Sequence, residues 1–171
     1  DVDVGPLENY PEGEFVVTTF QSREDGGKVS TRTAYIRNNG FVNSVPSFTI
    51  LSSSCVHLGC PVQPSGPLGE PKDIETDSGK VTLIGVTPAG FSCPCHGGAY
   101  DTEGNRTAGP PVRSLDRYYF KIDNANLVLA GRYSVGTVEG TGADAQIASY
   151  GLRDPGEHVD GPEAWLYPYV P

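Results

Sequence analysis

No stretch of the chain approaches the ~18–20 consecutive apolar residues that a membrane-crossing helix needs, and no charged-then-apolar leader of the signal-peptide kind opens it. The first residues are Asp1-Val2-Asp3 rather than Met, so a processed or shortened chain is expected, with a membrane anchor upstream of Asp1. Basic side chains are scarce: 12 Lys and Arg stand against 21 Asp and Glu, a formal net charge of −9. That balance argues against a nucleic-acid binder and against a protein held by charge to an anionic membrane surface. Methionine is absent and hydrophobic residues make up 37%, whereas glycine (22) and proline (15) are plentiful. Such a composition suits a β-rich, loop-rich body better than a helical bundle. The 171 residues suffice for one domain with a core of its own.

The pattern along the chain is that of an all-β protein. Glu14–Phe20 and Lys28–Ile36 are rich in β-branched and aromatic residues and flank Asp25-Gly26-Gly27, a hairpin signal. Phe48–Leu51 and Val81–Val86 read as further strands, and Thr87–Gly90 as a turn. Tyr118–Ile122 and Leu127–Ala130 flank Asp123-Asn124-Ala125-Asn126, a hairpin with a four-residue turn-prone loop. Pro61–Lys80 reads as an irregular excursion whose Glu70, Asp73, Glu75 and Asp77 form a solvated face. From Gly131 the chain is loop-rich, but Tyr150, Trp165, Tyr167 and Tyr169 imply that this extension packs on the body. No repeat and no helix signal beyond about two turns is present.

Cysteine and histidine are few, and their placement is uneven. The four cysteines and two of the three histidines fall in Cys55-Val56-His57-Leu58-Gly59-Cys60 and Cys93-Pro94-Cys95-His96-Gly97-Gly98. Such clustering reads as a metal site, a disulfide, or both. Zinc sites of the finger type usually pair two histidines three to five residues apart, whereas each cluster here holds a single histidine. An asymmetric dinuclear iron–sulfur site fits better, with two thiolates on one iron and two neutral imidazoles on the other. One Cys and one His from each loop supply that set. One cysteine per loop remains, so a disulfide between them would tie the loops together. His158, in the acidic stretch Asp154–Asp160, reads as a solvated surface residue.

At these residues the chain resembles the Rieske iron–sulfur subunit of cytochrome bc-type complexes, whose loops read C-x-H-x-G-C and C-P-C-H-G-S-x-Y. The resemblance spans about sixty residues, from Cys55 to Val112. It implies that Cys55 and Cys93 bind one iron of a single [2Fe–2S] cluster, that His57 and His96 bind the other, and that Cys60 pairs with Cys95. It also implies the fold: an antiparallel β-sandwich base (1–51 and 114–171) with a cluster-binding subdomain inserted at about 52–113. Gly109-Pro110-Pro111 resembles the proline-rich loop that covers one side of the cluster, and Leu58 would help to shield it. Tyr100 keeps the family's tyrosine, a donor to a ligand cysteine sulfur. Gly98 stands where the family has a serine that donates to a bridging sulfide.

Function follows from the resemblance as an expectation. Replacing two thiolates by imidazoles leaves the oxidised centre formally neutral, so an added electron is easier to hold than on an all-cysteine cluster. The free ring nitrogens of His57 and His96 should bind protons more firmly after reduction, which couples electron to proton uptake. His96 would meet a quinol, and His57 would lie near the docking face for a c-type cytochrome, within a complex that also holds cytochrome b. The disulfide implies the periplasmic or another extracytoplasmic side of a membrane. Three other readings compete. One is a Rieske subunit of another periplasmic oxidoreductase of the arsenite oxidase type. The second is a soluble Rieske ferredoxin, against which Cys60 and Cys95 argue. The third is a zinc-stabilised module without redox activity.

Overall fold

The computed structural model describes residues 1–23, 27, 29–42, 44–54, 60–95, 97–111 and 113–148. Its elements are β1 (Val2–Pro6), β2 (Phe15–Arg23), β3 (Val29–Val42), β4 (Val45–Ser52), β5 (Gln63–Pro64), β6 (Lys72–Thr76) and β7 (Gly79–Val86). Then come β8 (Phe91–Cys93), β9 (Gly98–Tyr100), β10 (Arg106–Ala108), β11 (Arg117–Asp123), β12 (Asn126–Tyr133), β13 (Thr137–Glu139) and β14 (Gln146–Ala148). Helical structure among the described residues is limited to two three-residue 3₁₀ turns, Leu7–Asn9 and Gly142–Asp144. The expected aromatic extension, with Tyr150, His158, Trp165, Tyr167 and Tyr169, lies outside the described residues.

Eight strands form one antiparallel sheet in the order β1-β12-β11-β4-β3-β2-β7-β6. The sheet folds over on itself, so that its first and last strands meet. There the Asp3 amide donates to Ser78 Oγ at 2.9 Å, and Thr76 Oγ1 donates to the Asp3 carbonyl at 2.8 Å. Strand alternation then decides what faces where. Val16 and Phe20, Ala34 and Ile36, Phe48 and Ile50, and Val81 and Leu83 point into the fold, with Val4, Leu127 and Leu129 closing the core. Each such large side chain contributes about 1.5–3 kcal/mol by leaving water.

The alternate positions face the other way. Phe15 lies opposite Val86, Val17 opposite Tyr35, and Tyr35 opposite Leu51, so these five form one apolar stripe across β7, β2, β3 and β4. On that stripe sits a small sheet of order β10-β9-β8-β5. Phe91 of β8 is its anchor, stacked on Tyr35 (centroids 4.6 Å apart) and edge-on to Phe15 (5.6 Å). The span 52–113, expected as the cluster-binding subdomain, thus feeds both sheets. Residues 63–64 and 91–108 build the small one, while β6 and β7 belong to the large one.

Two local expectations are corrected. Within the stretch read as irregular, Lys72–Thr76 forms the edge strand β6, paired with β7 from Lys72↔Leu83 to Thr76↔Gly79. Its one apolar residue, Ile74, packs on the core, while Lys72, Asp73 and Glu75 stay in water, so the strand has almost no hydrophobic signature. The four acidic residues are exposed, as expected, and Asp73 accepts from Thr82 Oγ1 at 2.7 Å and pairs with Lys80 at 3.3 Å. The β11–β12 loop is shorter than four residues: the ladder runs to Asp123↔Asn126, leaving Asn124 and Ala125 as a two-residue turn with φ of 50° and 63°. Both central residues at positive φ match the twist of the flanking strands.

Candidate metal centre

The second motif is a short hairpin. β8 and β9 pair with Cys93 opposite Gly98 and Phe91 opposite Tyr100, so all four point to the same, buried face of the small sheet. The turn is closed by the Gly97 amide donating to the Cys93 carbonyl at 3.1 Å, with Gly97 at φ +74°, a region that glycine occupies without strain. Cys93 is 3% exposed and is the free cysteine among the described residues.

The first motif leaves from the end of β4. Its base is pinched by an antiparallel bridge between Ser54 and Pro61 and by the Val62 amide donating to the Ser53 carbonyl at 2.6 Å. The buried Tyr35 hydroxyl donates to the Val62 carbonyl, tying that base to β3. Burial pushes the Tyr35 hydroxyl up to about 12, so it remains a donor at any physiological pH. The two motifs are joined covalently. Cys60 and Cys95 form the expected disulfide, and the sulfurs of Cys60, Cys93 and Cys95 all lie within 4.8 Å of one another. Cys55, His57, Leu58 and His96 lie outside the described residues.

The proline loop packs against this hairpin. Gly109 adopts φ +85°, and a Cβ there would come within 2.6 Å of the Gly97 carbonyl oxygen and 2.7 Å of Gly98 Cα. Pro111 is buried, with its ring beside Gly98. Tyr100, 2% exposed, packs among Phe91, Leu51 and Leu115, diagonal to Cys93 on the same face.

Sequence reasoning passes over the charges that brace the site. Glu103, 3% exposed, follows β9 and is gripped by Arg37 of β3 and by Arg117 of β11, whose Nη2 lies 3.2 Å from Oε1 and 3.0 Å from the Glu103 carbonyl. The Gly142 amide donates to the same carboxylate at 3.2 Å. Arg37 also donates to Asn39 and Thr49 and lies 5.0 Å over the Phe15 ring. Arg113 and Asp116 form a second buried pair, between the proline loop and β11. One signal was available: by strand period, Arg37 shares the face of Tyr35, a place where a cation needs a partner.

A family model described as the Rieske [2Fe–2S] domain matches residues 4–119. The iron–sulfur subunit of menaquinol:cytochrome c reductase from Geobacillus thermodenitrificans is 38% identical over 80 residues, which is 46% of this chain and 37% of that protein. The mitochondrial Rieske subunit of the cytochrome b-c1 complex from Gallus gallus is 31% identical over 87 residues, 50% of this chain and 25% of that one. Carotenoid phi-ring synthase from Chlorobaculum tepidum is 30% identical over 112 residues, 63% of this chain and 14% of the synthase. The chain therefore spans less than half the length of these relatives. Among solved structures, the plasma membrane Rieske protein PetC3 of Synechocystis PCC 6803 superposes with a TM-score of 0.41 at 19% identity, covering 77% of this chain and all of that one.

Proposed function

The chain belongs to the Rieske [2Fe–2S] family of electron-transfer proteins, and from that premise we propose that Cys55, His57, Cys93 and His96 hold its cluster and that it carries electrons from a quinol to a c-type cytochrome. The observation that carries the assignment is Cys93: a buried free thiol, on a hairpin that the Cys60–Cys95 disulfide ties to the first motif. The surroundings fit the group. Gly98 faces Cys93 across the hairpin, where a Cβ would lie 3.6 Å from that of Cys93, and the disulfide takes up the two cysteines left over from the proposed ligand set. A thiol and an imidazole from each loop complete the donor set that a Rieske centre requires.

Bound there, the cluster supplies a one-electron acceptor in the Rieske window of about −150 to +300 mV. The protein contributes the rest. His57 and His96 would each hold the cluster through one ring nitrogen and leave the other free to carry a proton, which added negative charge on the site would favour. His96 is the contact for quinol and His57 the neighbour of the cytochrome. Leu58 and the loop Gly109-Pro110-Pro111 exclude water, and the Tyr100 hydroxyl donates to a ligand cysteine sulfur. Assembly with cytochrome b and a c-type cytochrome, on an oxidising, extracytoplasmic side, is supported by the relatives in bc-type complexes and by the disulfide.

The test is iron and sulfide analysis followed by voltammetry from pH 6 to 11. Two irons and two sulfides per chain are expected, lost in Cys55→Ser, His57→Ala, Cys93→Ser and His96→Ala. The potential should fall at high pH toward a slope of ~59 mV per unit for one proton per electron. Full occupancy in any of the four variants overturns the ligand set. A flat potential overturns proton-coupled quinol oxidation.

A further inference from the structure

We propose that Arg106 is a positioning residue for the cluster site: it latches the proline loop onto the ligand hairpin. This rests on the reading that the Cys93–His96 hairpin holds the cluster. Arg106 opens β10, the edge strand of the small sheet, opposite Tyr100. Its guanidinium reaches forward, and both Nε (2.9 Å) and Nη2 (2.6 Å) donate to the carbonyl oxygen of Gly109. That carbonyl belongs to the peptide joining Gly109 to Pro110.

The loop needs such a fixing because of its own chemistry. Pro110 and Pro111 carry no amide hydrogen, so across residues 109–111 only Gly109 can donate from the backbone. Ladder hydrogen bonds cannot hold a segment of this kind. What holds it is the grip of Arg106 on one acceptor, together with packing. The packing is close: Gly109 lies against Gly97 and Gly98, and the Pro111 ring lies against Gly98, which faces Cys93 across the ladder. A guanidinium on a carbonyl is a charge-assisted contact made from a planar fork, which a lysine can match only with a point charge. Orientation of the Gly109–Pro110 peptide thus passes through Gly109 to the backbone beside the ligand cysteine. Arg106 is exposed, so its replacement leaves both cores untouched.

Holoprotein is mixed with a ferrous-iron chelator, and loss of the visible cluster absorbance is timed for the parent, Arg106→Gln, Arg106→Lys and the control Lys121→Gln. The control removes an exposed cation far along the chain, one that pairs with Asp1. Release is expected to be roughly fivefold faster in Arg106→Gln, the size of one typical net hydrogen bond. Arg106→Lys should recover part of the loss and Lys121→Gln should match the parent. Equal rates for parent and Arg106→Gln overturn the latch, as does equal acceleration by Lys121→Gln. Amide exchange at Gly97 and Gly98 separates this claim from the cluster reading, because it is measurable in protein of any metal content. Faster exchange in Arg106→Gln supports the latch even if the parent were found to hold zinc, and unchanged exchange overturns it even if the parent holds iron and sulfide.

Discussion

Pro111 occupies the space that a side chain at Gly98 would need: a Cβ there would come within 2.8 Å of the proline Cγ and 3.0 Å of its Cδ. The departure from the family serine at this position is therefore matched by the neighbour that fills the gap. Gly98→Ser must push the ring aside, at the ~1–3 kcal/mol typical of overpacking. A lower thermal midpoint and faster cluster loss are expected, and Gly98→Ser combined with Pro111→Ala should recover most of the stability. If the single variant is as stable as the parent, the ring does not rest on Gly98.

Tyr100 separates packing from tuning. As a buried aromatic it contributes to the contact between the sheets, and Tyr100→Phe keeps nearly all of that. A hydroxyl that donates to a cluster sulfur stabilises the reduced, more negative state. Its removal should lower the potential by roughly 65–130 mV, from 1.5–3 kcal/mol for a charge-assisted bond at 59 mV per tenfold. An unchanged potential in a folded, fully loaded variant would reduce Tyr100 to a core residue.

Glu103 carries the heaviest electrostatic load. Two guanidiniums, the buried Arg117 and the partly buried Arg37, converge on its carboxylate, so Glu103→Gln leaves two cations without their counter-charge. A loss of about 3–5 kcal/mol in urea unfolding is expected, as when one partner of a buried pair is removed. Arg37→Met together with Glu103→Gln should cost less than the two separate losses combined, because the partners are coupled.

Stability should fall on the alkaline side in a defined window. The Tyr35 hydroxyl is pushed up to about 12 by burial, against ~10 in an unfolded chain. The folded protein therefore keeps this proton longer than the unfolded one, so its contribution is full below about pH 10 and disappears as pH rises through 12. Denaturant midpoints between pH 9 and 12 would show the decline. Tyr35→Phe should make it shallower while lowering stability near neutrality through the lost bond to the Val62 carbonyl.

Much of this was legible before any coordinates. β2, β3, β4, β7, β11 and β12 announce themselves because each buries a full face, which forces apolar residues onto alternate positions. β6 is hidden because only Ile74 turns inward, and the Asp77-Ser78 turn before Gly79 reads as more loop. The disulfide was legible through the family pattern. The clamp on Glu103 was not, since its partners lie 66 and 14 residues away and no local pattern announces a pairing over such distances. Arg106 escaped for a related reason: its target is a backbone carbonyl, which every residue offers.

The disulfide also has a mechanical consequence. The covalent ring it closes, from Cys60 to Cys95, contains β6 and β7, which are woven into the large sheet. Within that ring the Gly69 amide donates to the Gly85 carbonyl at 2.8 Å and Leu68 bridges Val86, so the span leading to β6 is stitched down too. Among the described residues, the hairpin that bears Cys93 is thereby tied to the large sheet twice, through the backbone of β7 and through the disulfide, so reduction of Cys60–Cys95 would leave it one covalent route fewer.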